Sequence, residues 1–254
     1  MKIDITPELA EIIGIYVGDG YLRYEGARKE LDISGGYEEK EYYDNHVIPL
    51  CNKTFNISII GKFFPSRSTY GFVIRNRSVL EIFKEIGFPS GNKSVIIRIP
   101  DSIKYSKNTE IITRFLRGYF DTDGCVCFRN RKGGENYTFF KQKYHYHSRI
   151  ILSSVSKALV EDLKVMLTQL GFTFNISIKE SKHKNWNTSF HITLVGKTNL
   201  EKWIAFIGMK NTAKFSRYLI WKKFGFNPPH TTFEQRINIL DGKLDPHSMY
   251  GPVV

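Results

Sequence analysis

Two aspartates stand at matching places in this chain. Gly14–Gly20 reads GIYVGDG and Gly118–Gly124 reads GYFDTDG, so Gly14, Gly18, Asp19 and Gly20 answer to Gly118, Thr122, Asp123 and Gly124, each 104 positions further on. Carboxylates brought into contact repel and raise the pKa of one of them. Each also falls at the end of an apolar stretch that reads as a helix, where the dipole disfavours an acid by roughly 0.3–1 kcal/mol. A divalent cation removes both penalties, and hard oxygen donors favour Mg²⁺, with Mn²⁺ or Ca²⁺ able to occupy the same sites. The carbonyls of Gly18 and Thr122, left over at the helix ends, complete the expected metal site of Asp19, Asp123, Gly18 and Thr122. A metal held there beside a basic surface points to phosphodiester hydrolysis. Asp-Gly is also an ordinary turn pair; the symmetrical placement next to small residues is what favours the catalytic reading. Asp121 is two residues from Asp123, points elsewhere and reads as structural.

The elements that must position these acids repeat. Thr6-Pro7 offers a capping hydroxyl and a first-turn proline, and the helix that follows must stop near Gly20. Alternating stretches, then a helix over 37–54 broken at Pro49, two more strands (NISIIGKFF and YGFVIRN) and SVLEIFKEIG give the order α-β-β-α-β-β-α. The second half gives the same order from TEIITRFLRGYFDTDG to NLEKWIAFIG. FNISI occurs at 55–59 and again at 174–178, and the offset between the halves grows from 104 to 119, which localises a 15-residue insertion between Arg129 and Arg149. The expected organisation is a first half at 1–88, a linker at 89–108, a second half at 109–224 and a C-terminal extension at 225–254. Gly14, Gly18, Gly118 and Thr122 are four apart within each helix, a spacing that lets two backbones approach closely. If the two opening helices pack in parallel, both acids arrive at one place.

At 254 residues with 41% hydrophobic composition the chain is long and apolar enough to fold around real cores. A net charge of +12, spread along the chain, argues for a polyanionic partner. No long apolar run or basic amphipathic helix suggests a membrane, and MKIDITPELAEIIG carries acids where a signal peptide needs an apolar core. Cys51, Cys125 and Cys127 form neither a disulfide framework nor a zinc motif. The expected location is intracellular: cytoplasmic, or organellar in a eukaryotic host.

The strands place Leu22, Leu31, Ile33, Ile59, Phe72, Val126, Phe128, Ile150, Leu152, Ile178, Phe190 and Ile192 on the packed face. The opposite parity holds Arg23, Lys62, Arg75, Arg129, Arg131, Arg149, Lys179 and His191, among Asp32, Ser34 and Ser153. That mixture suits a sheet lying along a DNA groove, with cations for phosphates and polar groups for base edges. Lys141 and Lys143 extend this surface on the insertion, read as a long hairpin carrying His145 and His147. Arg77 and Lys197, beyond the last strand of each half, are expected to stabilise charge on the scissile phosphates. Lys93 and Lys214, each six residues after a helix-ending glycine, are expected to contact the DNA backbone.

IIGIYVGDG (12–20) and LRGYFDTDG (116–124) resemble the paired signature of single-chain, two-motif LAGLIDADG homing endonucleases, and the likeness runs over about residues 5–224. It implies an α+β fold of two pseudo-symmetric αββαββα halves, with the motif helices at the centre and two antiparallel sheets forming a saddle on double-stranded DNA. It also implies a monomer in which Asp19 and Asp123 bind the metals, cleavage leaving 3′ overhangs, and a role in spreading a host intron. Many relatives carry Gln or Lys at the end of the second strand of each half. Here Gly35, Gly36 and Ser154 stand there, so water positioning and charge stabilisation must come from elsewhere. Two other readings use the same residues: an RNA maturase that binds its own intron, and a DNA-binding regulator without catalysis.

Overall fold

The computed structural model describes residues 3–130, 144–181 and 187–250; Arg131, Lys141 and Lys143 lie outside them. Helix α1 (Pro7–Asp19) begins where the Thr6 hydroxyl accepts the Leu9 N–H at 3.2 Å, with Pro7 in the first turn. It passes without a loop into β1 (Gly20–Arg23), because Gly20 is already extended (φ −81°, ψ 149°). A side chain at Gly20 would press into Tyr16, its Cβ 2.2 Å from the ring. The second half repeats the device: α6 (Thr109–Asp123), capped by Asn108, runs into β5 (Cys125–Arg129) through Gly124.

Each half builds one four-stranded antiparallel sheet. The first has the order β1-β2-β4-β3, with β2 at Glu30–Gly36, β3 at Lys62–Phe64 and β4 at Thr69–Ile74. The second has the order β5-β6-β8-β7, with β6 at His147–Ser154, β7 at Asn175–Lys179 and β8 at Ser189–Val195. Between β2 and β3 the chain forms a 3₁₀ turn (Tyr37–Glu39), α2 (Lys40–Tyr42), a π-helical turn (Tyr43–Val47) and α3 (Ile48–Phe55). The segment expected as one helix with a break at Pro49 is thus regular from Ile48 on, and Pro49 sits in the first turn of α3, where its missing N–H costs little. The remaining helices are α4 (Arg77–Ile86), α5 (Asp101–Lys104), α7 (Lys157–Gln169), α8 (Lys197–Phe206), α9 (Thr212–Phe224) and α10 (Phe233–Leu240). Among the described residues no helix is long and apolar enough to cross a membrane.

Strand alternation buries Leu22, Leu31, Ile33, Phe72, Val126, Phe128, Ile150, Leu152 and Ile192 under the helices, each contributing about 1.5–3 kcal/mol by leaving water. Three of the expected core residues fall outside this set. Ile178 is 62% exposed, because β7 is an edge strand open along its whole length. Phe190 and Ile59 are half-buried. The two FNISI copies also differ: Asn175–Ile178 is strand, whereas Asn56 is left-handed (φ 51°) and the Asn52 amide oxygen accepts the Ile59 N–H at 2.8 Å. That side chain replaces the strand partner which Ile59 would otherwise need.

The centre of the molecule is the α1–α6 contact. A Cβ added at Gly14 would lie 2.2 Å from the Phe115 carbonyl oxygen, and one at Gly118 2.2 Å from that of Glu11. Backbone meets backbone there. Around this contact Ile12, Ile13, Tyr16, Phe115, Leu116 and Tyr119 are fully buried. Glu11, also fully buried, binds Arg117 Nη2 at 2.7 Å and His46 Nε2 at 2.7 Å. Burial opposes its ionisation, but the hydrogen bonds from His46 and Arg117 outweigh it and hold the carboxyl down at about 2.

Candidate active site

Because α1 and α6 touch at their glycines, they deliver Asp19 and Asp123 to one place. A Cβ at Gly18 would be 2.1 Å from Thr122 Oγ1 and 3.4 Å from the Asp123 carboxyl carbon. The Thr122 hydroxyl turns back to its own helix, donating to the carbonyls of Gly118 and Tyr119. Asp19 Oδ2 accepts the Tyr43 hydroxyl at 2.9 Å. Burial, and then the charges of Asp123 and Glu39, push the Asp19 carboxyl up to about 7 against the Tyr43 hydrogen bond and Lys214. The Asp123 carboxyl is raised too, first by burial, with Lys93 and Lys214 opposing.

Two lysines occupy the carbonyls at these helix ends. Lys93 Nζ donates to the Gly18 carbonyl at 3.0 Å, and burial lowers its pKa against the pull of Asp123 and Asp19. Lys214 Nζ donates to the carbonyls of Phe120 (2.9 Å), Asp121 (2.8 Å) and Thr122 (2.5 Å). The two ammonium groups, expected to contact the DNA backbone, therefore lie at the helix ends beside the carboxylates. The loop carrying Lys93 is turned inward by Gly91, whose N–H bonds the Leu22 carbonyl at 2.8 Å. Lys214 is brought by α9, which Asn211 caps while also donating to the Asp121 carbonyl at 2.8 Å. Asp121 itself is buried and accepts the Lys210 N–H, a structural role.

Arg77 and Lys197 are not brought to the carboxylates. Tyr70 pairs with Gly35 beside Asp19, and Ile74, four residues along β4, is about 13 Å further on. Arg77 lies past it, 91% exposed and paired with Glu81. In the other half Asp123 shares a recess with Ser189, and Lys197 follows β8 at its far end, about 20 Å away. Both strands run away from the centre, so the residues after them mark the wrong end of each sheet for catalysis.

Of the expected DNA contacts, Lys62, Arg75, Arg129 and Lys179 are exposed, and Arg23, Arg149 and His191 half-exposed. Arg75 is shared with Glu30 at 3.1 Å. His191 bridges Ser153 and Ser189, its ring nitrogens 2.7 and 2.9 Å from the two hydroxyls. His145 stacks on Tyr250 and is a packing residue.

Sequence reasoning passed over one acid. Glu39, on the 3₁₀ turn after β2, accepts the Gly36 N–H at 3.0 Å and the Asn211 amide at 2.6 Å, and its charge acts on both aspartates. It stands in the run YEEKE, where nothing in spacing sets it apart.

Two antiparallel sheets joined by a close-packed helix pair, with one acid at the end of each helix, define the LAGLIDADG fold. Residues 110–208 match the family model described as a LAGLIDADG-like domain. The fold of the chain is shared with the homing endonuclease I-DmoI, solved in complex with DNA and Mn, at a TM-score of 0.52 and 16% identity over 80% of this chain and 96% of that one. The chain is also 26% identical over 216 residues to the replication factor C small subunit of Methanocaldococcus jannaschii, which covers 85% of this chain and 10% of that protein. It is 25% identical over 216 residues to the glutamine–fructose-6-phosphate aminotransferase of the same organism, covering 82% of this chain and 17% of that protein. The chain thus spans only about a tenth to a sixth of the length of these relatives.

Proposed function

We propose that the protein is a site-specific, double-stranded DNA endonuclease that acts as a monomer. The observation that carries this reading is the pair of carboxylates at the ends of α1 and α6, each with a lysine from its flank, set between two sheets whose outer faces bear Arg and Lys.

The donor set fits a hard divalent cation: two carboxylates whose pKa values are raised by desolvation and by the charge of Glu39, with Asp123 acting on Asp19 as well, and two helix-end carbonyls that keep a second lone pair beside the lysine each accepts. Among the described residues no group of three His, Cys, Asp or Glu is arranged to hold a metal by itself. Water and DNA phosphate oxygens then supply the remaining positions, as is usual for Mg²⁺. Asp19 and Asp123 would hold the ion with the Gly18 and Thr122 carbonyls; when bound, it supplies a Lewis acid and a more acidic water. The chain's own groups do the rest. Lys93 and Lys214 place positive charge beside each reacting phosphate, Tyr43 fixes the rotamer of Asp19, and the saddle excludes bulk water once DNA is seated.

The relatives support mobility of the element that encodes it. One segment of about the same size recurs in two proteins whose names describe unrelated activities, as an inserted module does. In those proteins it lies within a longer chain, so for this protein in-frame insertion stands beside the intron reading. Sequencing the flanks of its gene decides between them.

The test is cleavage of plasmids carrying a randomised insert, in Mg²⁺ or Mn²⁺, with cut ends sequenced to recover the target. Wild type should linearise a defined subset. Asp19→Asn and Asp123→Asn should each lower the rate at least about 100-fold while still binding the recovered site. Wild type that binds but never cuts with any divalent ion would sink the nuclease reading and leave a DNA-binding regulator.

A further inference from the structure

Resting on that nuclease reading, we propose that Glu39 is a third acid of the centre, holding the attacking water at the Asp19 half-site alone, so that two unlike half-sites cut the two strands. Gly35 makes room for it. A Cβ there would lie 2.3 Å from Glu39 Oε2 and 3.0 Å from Asp19 Oδ2, so both carboxylates flank one bare Cα. The end of β2, where the Gln or Lys of many relatives is missing, is filled from the following turn instead.

Among the described residues the Glu39 carboxylate is held by two neutral donors, the Gly36 N–H and the Asn211 amide. Lone pairs remain on it for a water. The open recess beside it, about 370 Å³, is also lined by Lys214 and Arg217, which suit a phosphate. The turn is gripped from behind by the C-terminal segment. Glu38 accepts the Phe233 N–H at 3.4 Å and lies 3.7 Å from Arg236. Arg236 is itself buried and tied to Ser216, Thr231 and Ala213. The extension thereby becomes a support for one half of the active site.

The other half-site has no counterpart. Its recess, of about 380 Å³, holds Lys93, Asp123, Ser153, Ser154 and Ser189, and Asp123 is its one acidic residue. In the Asp19 half-site the water oxygen bonds to phosphorus as a bridging P–O bond breaks. The water's proton goes to the Glu39 carboxylate and on to solvent, and the leaving oxygen takes a proton from solvent. In the Asp123 half-site the water must be held by hydroxyls or by DNA.

The experiment uses the full chain and the recovered target, with the two strands end-labelled in different colours, and Glu39→Gln. One strand should be cut at the wild-type rate and the other at least about 100-fold more slowly, so that nicked duplex accumulates. Mn²⁺ binding to the protein alone, followed by electron paramagnetic resonance, should weaken about tenfold, because a carboxylate that holds a metal's water supports the metal. Equal slowing of both strands, or no slowing, overturns the assignment. If wild type cuts nothing, the nuclease reading fails by itself, and a Mn²⁺ isotherm unchanged by Glu39→Gln then overturns the role of Glu39 separately. Should the amide disturb folding, Glu39→Asp keeps the charge while withdrawing it, and the same one-strand deficit is expected.

Discussion

Among the described residues Asp19 accepts a hydrogen bond from Tyr43, and it faces burial and two more carboxylates against the charge of Lys214. Its carboxyl titrates at about 7 in the folded protein against about 3.9 in an unfolded chain. The native state therefore holds this proton to higher pH than the unfolded state does. Its contribution to stability is present at low pH and falls as pH rises from about 4 to 7. Above that window the ionised acid costs the fold on the order of 4 kcal/mol, a cost that a bound cation would offset. Asp19→Asn removes the charge and keeps an acceptor for Tyr43. At pH 8 without divalent ions the variant should melt roughly 8–15 °C above wild type, and near pH 4 the two should coincide. Calorimetry across that range checks the sign: an Asn variant that melts lower at pH 8 would mean that Asp19 is a structural acid after all.

At the scale of elements, the α1–α6 contact joins the halves and aims the acids, and it tolerates no side chain at its crossing point. Gly118→Ala would put a Cβ 2.2 Å from the Glu11 carbonyl oxygen, a backbone atom that cannot swing aside. The helices must separate, at a cost of about 3 kcal/mol or more, and cleavage should fall with stability because both carboxylates move. Gly26→Ala is the control: its Cβ would meet nothing within 4 Å, and only its positive φ (74°) is strained. Denaturant melts of the two variants should separate crowding from strain. Much of this architecture was legible beforehand, because small residues four apart, period-2 strands and the 104-residue echo are local signals. What was not legible depends on where loops fold back. The pairing of Lys93 with Lys214 showed in their spacing, but their inward turn rests on bonds such as Gly91 to Leu22, which no pattern announces. Glu39 was hidden for the same reason. A 3₁₀ turn and an amide 172 residues away place it. Helix α9 did carry a signal, Asn211 before it and Gly225 after it, that reading the chain as two equal halves obscured.

Across the whole molecule the charge of +12 divides into two populations with different work. Lys62 and Lys179 are exposed on the strand faces, where they would displace counterions from DNA phosphates. Lys93 is 9% exposed and bonded to the Gly18 carbonyl, within reach of the carboxylates but not of the duplex at large. The two populations should part in one experiment. With Ca²⁺ in place of Mg²⁺, the affinity for the recovered target is measured against salt. Lys62→Ala and Lys179→Ala should each flatten the slope of log K against log salt by about one and weaken binding to all sequences alike. Lys93→Met should leave that slope within error of wild type, yet cut DNA at least about 100-fold more slowly in Mg²⁺. If Lys93→Met instead flattened the slope and spared cleavage, Lys93 would be one more phosphate contact, as its sequence position first suggested. The inward lysines would then have no part in the chemistry. Charge that binds and charge that reacts are thus separable here, because the fold puts one on the sheets and the other at the helix ends.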